Sequence, residues 1–292
     1  MGAGAPKLSV VIPCRNAART IGAQLEALAR ESWHDAWEVV VADNGSMDRT
    51  LETVESFRDR LPVLQIVDAS ERSGVAFARN RGVAESAGEV IAFCDADDAV
   101  GAGWLAAMGE ALAKAEFVAA RPEYARLNPS WIYEGWDPPP EDGLRTHRFP
   151  PYLRYAGGGC LGIRRPIHDE LGGFDESLSS CEDDDYCLRV QLAGYALIAA
   201  PGALVHVRLR TGARDLFSQA RWYAEGEAKL QRKFGSAVTA RTLWKWPLLH
   251  WGAIARASRH VGSRSGRARI AWLLGFQFGR YRGSIVNRVL AI

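Results

Sequence analysis

Long hydrophobic runs are missing from this sequence. No window holds about 18 uninterrupted apolar residues, so no membrane-spanning helix is expected. The opening stretch, Met-Gly-Ala-Gly-Ala-Pro-Lys, lacks the basic and apolar segments of a secretory signal, and the default expectation is a cytoplasmic location. Cysteine is sparse: the five residues Cys14, Cys94, Cys160, Cys181 and Cys187 are odd in number and contain no CxxC pair. No His/Cys cluster has zinc spacing either, which excludes a disulfide framework and a structural zinc site. The fingerprint GxGxxG does not follow the first apolar run, which argues against a dehydrogenase. Acidic residues are scarce in one place only. After residue 200 three Asp and Glu stand against 17 Lys and Arg, whereas residues 1–200 carry 31 against 19. The near-neutral whole, net charge +2, therefore hides an acidic body and a basic tail, and such a tail suits an anionic partner.

What is present is ordinary globular material, 48% hydrophobic and 24% charged over 292 residues, enough for one large domain or two small ones. Leu8–Ile12, Trp37–Ala42, Val63–Val67 and Glu89–Cys94 are short β-branched apolar runs that predict strands buried on both faces. Ala17–Arg30, Asp48–Arg60 and Val75–Ser86 lie between them with apolar residues at helical spacing. That alternation predicts an α/β fold, with a mostly parallel sheet and crossover helices. Later in the chain, helices are expected at Trp104–Ala115 and Glu182–Leu192, and short strands at Phe117–Ala120, Tyr195–Ala199 and Leu204–Val207. Gly157–Ile163 predicts a Gly-rich turn into a strand, and Pro122–Pro151, with Trp131 and Trp136, predicts a long functional loop. Three helical stretches follow Ala213, and no internal repeat is present. The expected division is a catalytic domain over residues 1–212 and a helical extension over 213–292.

Ligands on parallel sheets bind beyond the carboxyl ends of the strands. All four early strands run into polar residues there: Pro13-Cys14-Arg15-Asn16, Asp43-Asn44-Gly45-Ser46, Asp68 with Arg72-Ser73-Gly74, and Asp95-Ala96-Asp97-Asp98. Asp95 and Asp97, two apart in an extended segment, point to one side and offer a half-site for Mg²⁺ or Mn²⁺, or else form a solvated acidic turn. Asp43 suits a nucleobase N–H or a ribose hydroxyl, while Asp48 suits a helix cap. Arg72, Gly74, Arg79 and Asn80 gather at a helix start, where phosphate is favoured, although either arginine equally suits a helix surface. In Glu182-Asp183-Asp184-Asp185, mutual repulsion raises at least one carboxyl pKa, which suits a general base. A run of acids at a helix start is also what the macrodipole favours.

In this order and spacing, SVVIPCRNA, VVADNGSMDRT, GVAFARNRG, VIAFCDADD and CEDDDYCLR resemble the family 2 glycosyltransferases of GT-A (Rossmann-like) fold, over roughly residues 7–210. The resemblance implies a nucleotide-diphosphate sugar donor, usually a UDP-sugar, a divalent metal, and transfer with inversion. It implies nucleotide contacts at Pro13, Arg15 and Asn16, a base contact at Asp43, and base and diphosphate contacts at Arg72, Gly74, Arg79 and Asn80. It further implies ribose and metal contacts at Asp95 and Asp97, a metal-completing His206, and Asp183 as general base. Gly158, Gly159, Glu182 and Trp131 are expected on the acceptor side. The acceptor is a glycan, a lipid-linked glycan, a peptide or a small metabolite. Two departures stand out: Arg15 replaces a frequent tyrosine, and Gly157–Cys160 (GGGC) stands where many members carry other small or polar residues. Competing readings are a nucleotidyltransferase, for which Pro13–Asn16 lacks the Gly-rich basic loop, and a non-catalytic scaffold that binds a nucleotide-sugar. The tail, with Trp222, Trp244, Trp246, Trp251 and Trp272 among many arginines, suits either peripheral contact with the inner membrane face or packing and homodimerisation. Nucleic acid is not an expected partner.

Overall fold

Among the described residues, eight strands hydrogen-bond into one sheet. The computed structural model describes residues 7–133, 140–147, 149, 151–234 and 245–289, with side chains from 249 onward in the last stretch. The predicted Trp136 and the side chains of Trp244 and Trp246 lie outside the described residues.

The strands are β1 (Leu8–Cys14), β2 (Trp37–Asp43), β3 (Leu64–Asp68), β4 (Val90–Phe93), β5 (Ala99–Val100), β6 (Phe117–Glu123), β7 (Leu161–Arg164) and β8 (Leu197–His206), in the spatial order β3-β2-β1-β4-β7-β6-β8-β5. The pairs β1–β2, β2–β3, β1–β4 and β6–β8 are parallel; β7 runs antiparallel to β4 and β6, and β5 antiparallel to β8. β1 and β2 are buried at every position, as continuous Val/Ile runs in a covered parallel sheet must be. The early helices are α1 (Ile21–Leu28), α2 (Thr50–Glu55) and α3 (Val75–Glu85). Gly82 of α3 sits where a Cβ would meet Val11 Cγ1 at 2.6 Å, so the helix lies close against β1. Next come α4 (Trp104–Lys114), the short α5 (Ser130–Tyr133) and α6 (Arg165–Glu170). α7 (Glu182–Leu192) then has the bounds expected from the sequence.

Two expectations are corrected. Tyr195–Ala199 and Leu204–Val207 are not separate strands, because β8 runs through both with a register shift between Ala200 and Leu204. Pro201 has no N–H to give the ladder, and a bulge absorbs it. The long loop is also less irregular than expected, since β6 continues to Glu123 and Ser130–Tyr133 forms a helical turn.

The chain divides into two compact units. One comprises Met1–Leu127, Pro139–Arg145 and Arg154–Arg208 and holds the sheet; the other comprises Asn128–Pro138, Thr146–Leu153 and Leu209–Ile292. In the second, α8 (Ala213–Phe234), α9 (Lys245–Ser258) and α10 (Arg264–Asn287) form a helical bundle. Gly275, Gly279 and Gly283 recur every four residues along α10. A Cβ on Gly275 or Gly279 would strike the carbonyl oxygen of Phe217 or Arg221 in α8, so the two backbones approach to a spacing that side chains forbid. No helix among the described residues is long and apolar enough to cross a membrane. All five cysteines are buried and none forms a disulfide.

Candidate active site

The carboxyl ends of β1 to β4 carry the polar residues, and each is held by its neighbours. Asp43 ends β2 beside Cys14; its carboxylate accepts from Ser46 N at 3.1 Å and from the Cys14 thiol at 3.6 Å. Burial and the Asp43 carboxylate push that thiol well above its ordinary pKa. Pro13 is buried within β1, past the point where pairing with β4 ends at Val11, so its missing N–H costs no ladder bond there. Asn16 adopts the left-handed conformation (φ 51°), accepts from Met47 N at 2.8 Å and donates its own N–H to Ser46 Oγ. Arg15 reaches from β1 to the next loop, donating to Ser73 Oγ at 2.6 Å. Asp48 accepts from Thr50 N and Ala18 N, just ahead of α2.

Sequence reasoning read Asn44 only as one of the polar residues that follow the second strand. Its amide donates to the carbonyls of Ala69 (2.5 Å) and Arg72 (2.7 Å) and accepts from Gly74 N (2.9 Å). Asn44 thus shapes the loop that carries Arg72 and delivers the chain into α3. Gly74, with φ 151°, supplies a backbone angle that side chains resist. Arg72 stays largely exposed, paired with Glu176 at 2.6 Å. Asn80 is spent on the same segment, donating to Phe174 O and Glu176 and accepting from Phe174 N at 2.8 Å.

Arg79 is the hub. It is 3% exposed, and its two terminal nitrogens bind Asp95 at 2.9 Å and Glu182 at 2.8 Å, joining the end of β4 to the start of α7. Burial opposes its charge, but Asp95, Glu182 and Asp183 hold the guanidinium above its ordinary pKa. Its Nε is buried without a hydrogen-bond partner. Gly158 and Gly159 leave room for this arrangement. A Cβ on Gly158 would lie 2.5 Å from the guanidinium carbon, and one on Gly159 2.7 Å from the Asp95 carboxyl. Gly158 N also donates to Asp183 Oδ2 at 2.8 Å, while Asp184 N donates to Asp183 Oδ1 at 3.0 Å. Cys181, in the left-handed conformation (φ 57°), starts α7 and sets all four acids in its first turn. Burial, then Asp183, push the Glu182 carboxyl up to about 7 against the pull of Arg79. Asp185 turns inward, fully buried and paired with Arg189 at 2.7 Å.

The Asp95–Asp98 run departs from the expected alternation. β4 ends at Phe93, and a turn closed by Asp98 N on Asp95 O (3.4 Å) replaces the extended segment. Asp97 is exposed, its carbonyl accepting from Arg208 Nε at 2.9 Å, and Asp98 is the buried carboxylate, accepting from Arg208 N at 2.8 Å. Burial, then Asp95 and Asp97, drive the Asp98 pKa well up. His206 ends β8 opposite Ala99 of β5, and its Nδ1 lies 2.6 Å from Glu123 Oε2. No three His, Cys, Asp or Glu side chains among the described residues are arranged as a metal cluster. By their chemistry Asp95, Asp97 and His206 suit a hard divalent cation all the same: two carboxylates, and an imidazole oriented by the Glu123 carboxylate. The sequence reading missed Glu123 and Arg208; polar residues at the ends of β6 and β8 were the available signal. Trp131 lies in the other unit, packed with Ile132, Leu216 and Trp272.

A sheet whose polar rim gathers these groups, with an antiparallel strand inserted between β4 and β6, is the GT-A arrangement. The chain belongs to glycosyl transferase family 2, whose model matches residues 9–172. It is 28% identical over 198 residues to glycosyltransferase AglE of Haloferax volcanii, covering 67% of this chain and 64% of that one. A mannosyltransferase from Pyrobaculum calidifontis, solved with GDP-Man and Mn²⁺, shares the fold at TM-score 0.68 and 19% identity, covering 96% of this chain and 87% of that one. S. aureus TarS 1-349, solved with UDP-GlcNAc, shares it at TM-score 0.55 and 17% identity, covering 94% and 91%. The chain spans about half the length of curated relatives it matches, from 64% of AglE to 23% of YfnE of Bacillus subtilis.

Proposed function

We propose that this glycosyltransferase moves a sugar from a nucleoside-diphosphate donor, a UDP-sugar, to an acceptor hydroxyl with inversion at the anomeric carbon. Residues 1–212 carry the chemistry, and 213–292 are accessory. The observation that carries the reading is the Arg79 hub, which binds Asp95 and Glu182 together while Gly158 N fixes the adjacent Asp183.

In this reading Asp43, Asn16 and Arg15 line the base and ribose side. Asp95, Asp97 and His206 would hold Mg²⁺ or Mn²⁺. Such an ion would supply charge neutralisation at the departing diphosphate. Exposed Arg72 suits the same charge from the protein side. Arg79, with both arms occupied, orients Asp95 and Glu182 rather than reaching outward. Asp183 accepts the acceptor hydroxyl proton as that oxygen attacks and the anomeric C–O bond to the diphosphate breaks. Its carboxylate is held by two backbone N–H groups, so one rotamer faces the acceptor side beside Gly158 and Gly159.

Asp183→Asn keeps the shape and removes the base. Turnover should fall about 10²- to 10⁴-fold while donor affinity changes little. Isothermal titration with UDP beside a nucleoside-diphosphate release assay reads both quantities, and unchanged turnover would dismiss the assignment. Screening UDP-, GDP- and dTDP-sugars with and without Mn²⁺ identifies the donor. The acceptor classes (glycan, lipid-linked glycan, peptide, small metabolite) are then separated with that donor in hand.

A further inference from the structure

The helical unit has two unlike faces. The glycine edge of α10 is buried against α8. A second line along the same helix, Arg267, Leu274, Phe278, Tyr281 and Ile285, follows spacings of seven, four, three and four, which in an α-helix is a single stripe, and Arg288 caps the helix just beyond it. All six are exposed, Phe278 at 51% and Ile285 at 78%, so a continuous apolar row faces water with a guanidinium at each end. α9 extends the patch: Leu249 and Trp251 are 60% and 47% exposed, and Trp251 Nε1 donates to Tyr281 Oη at 3.3 Å. Isolated exposed apolar residues need no explanation, but an ordered row joined to a tryptophan does.

The charge around the row selects its occupant. No acidic residue follows Glu227, while 13 Lys and Arg do. An isologous contact with a second copy would therefore set like charges face to face. A nucleic acid would engage the arginines but leave Leu274, Ile285 and Leu249 uncovered. An anionic lipid surface satisfies both, with apolar and aromatic side chains entering the acyl boundary and arginines meeting the headgroups.

We infer that the α9–α10 face of this chain docks on the surface of an anionic bilayer, with the Leu274–Phe278–Tyr281–Ile285 row inserted and its flanking arginines on the headgroups. The full chain, without donor or metal, is sedimented with phosphatidylcholine vesicles and with vesicles containing about one third phosphatidylserine. It should pellet with the anionic vesicles only, release as salt rises, and shift Trp251 emission to the blue. Replacing Phe278 and Ile285 by Ser should weaken partitioning at least tenfold. Arg267→Gln and Arg288→Gln should each weaken it about fivefold. All four positions are exposed, so circular dichroism should be unchanged; Ile285→Ser alone serves if the Phe278 and Ile285 double variant unfolds. Equal pelleting of the variants, indifference to phosphatidylserine, self-association through this face in sedimentation velocity, or tighter binding to duplex DNA than to the vesicles would each overturn the inference. Donor binding is untouched by any of these outcomes, so the transferase reading stands or falls separately.

Discussion

A single guanidinium does at residue scale what the strand ends cannot do alone. Arg79 stands between two carboxylates from distant parts of the chain, and removing it leaves Glu182 buried beside Asp183 without its cation. Arg79→Met should therefore lower unfolding stability by about 3 kcal/mol, as loss of one partner of a buried ion pair does. Turnover should also drop, because Asp95 and Glu182 lose their common anchor. Urea unfolding and a release assay measure the two effects. Lys offers one nitrogen in place of the two that Arg79 uses, so Arg79→Lys should rescue only part of either. The positions of Asp43, Asp95 and Asp183, after two strands and at a helix start, were legible in the sequence because each follows an apolar run or opens a helix. Which of four adjacent acids turns inward was not. Asp98 and Asp185 are buried while Asp97 is exposed, and that choice is made by the turn after Phe93 and by partners more than 100 residues away or one helical turn along.

Elements were legible in proportion to their periodicity. The bounds of α7 were readable outright, since its acidic start and apolar spacing agree. β8 was not readable as one strand because Pro201-Gly202 looks like punctuation, and only pairing with β6 on one side carries the strand across it. α8 and α10 were readable as helices, but their closeness was not. It depends on three glycines that cost helix propensity and return backbone contact. Gly279→Leu should separate α10 from α8, visible as faster amide exchange in both helices. A Gly279→Ala variant should lie between the two, since its Cβ meets Arg221 O and Ala224 Cβ.

At the scale of the whole molecule, acid should loosen the fold in a defined window. His168, hydrogen-bonded to Tyr186 at 2.8 Å, is held neutral by burial down to about pH 4. His147 is buried to the same effect. An unfolded histidine takes its proton near 6.5, so below that pH the unfolded chain binds more protons and stability falls until about pH 4. Between pH 7 and pH 5 the His168 contribution amounts to about 2 kcal/mol. Urea titrations at the two pH values should show that loss in the native chain, and His168→Gln should show about 2 kcal/mol less of it.

The thiols offer a practical handle. Every native sulfhydryl is shut away from solvent, and Cys14, Cys94, Cys160 and Cys187 are all driven toward the protonated, unreactive form. The folded protein is thus chemically silent toward maleimides. One cysteine introduced at the outlying Met47, 87% exposed in the loop after β2, becomes a unique address for a fluorophore or spin label with the other five left in place.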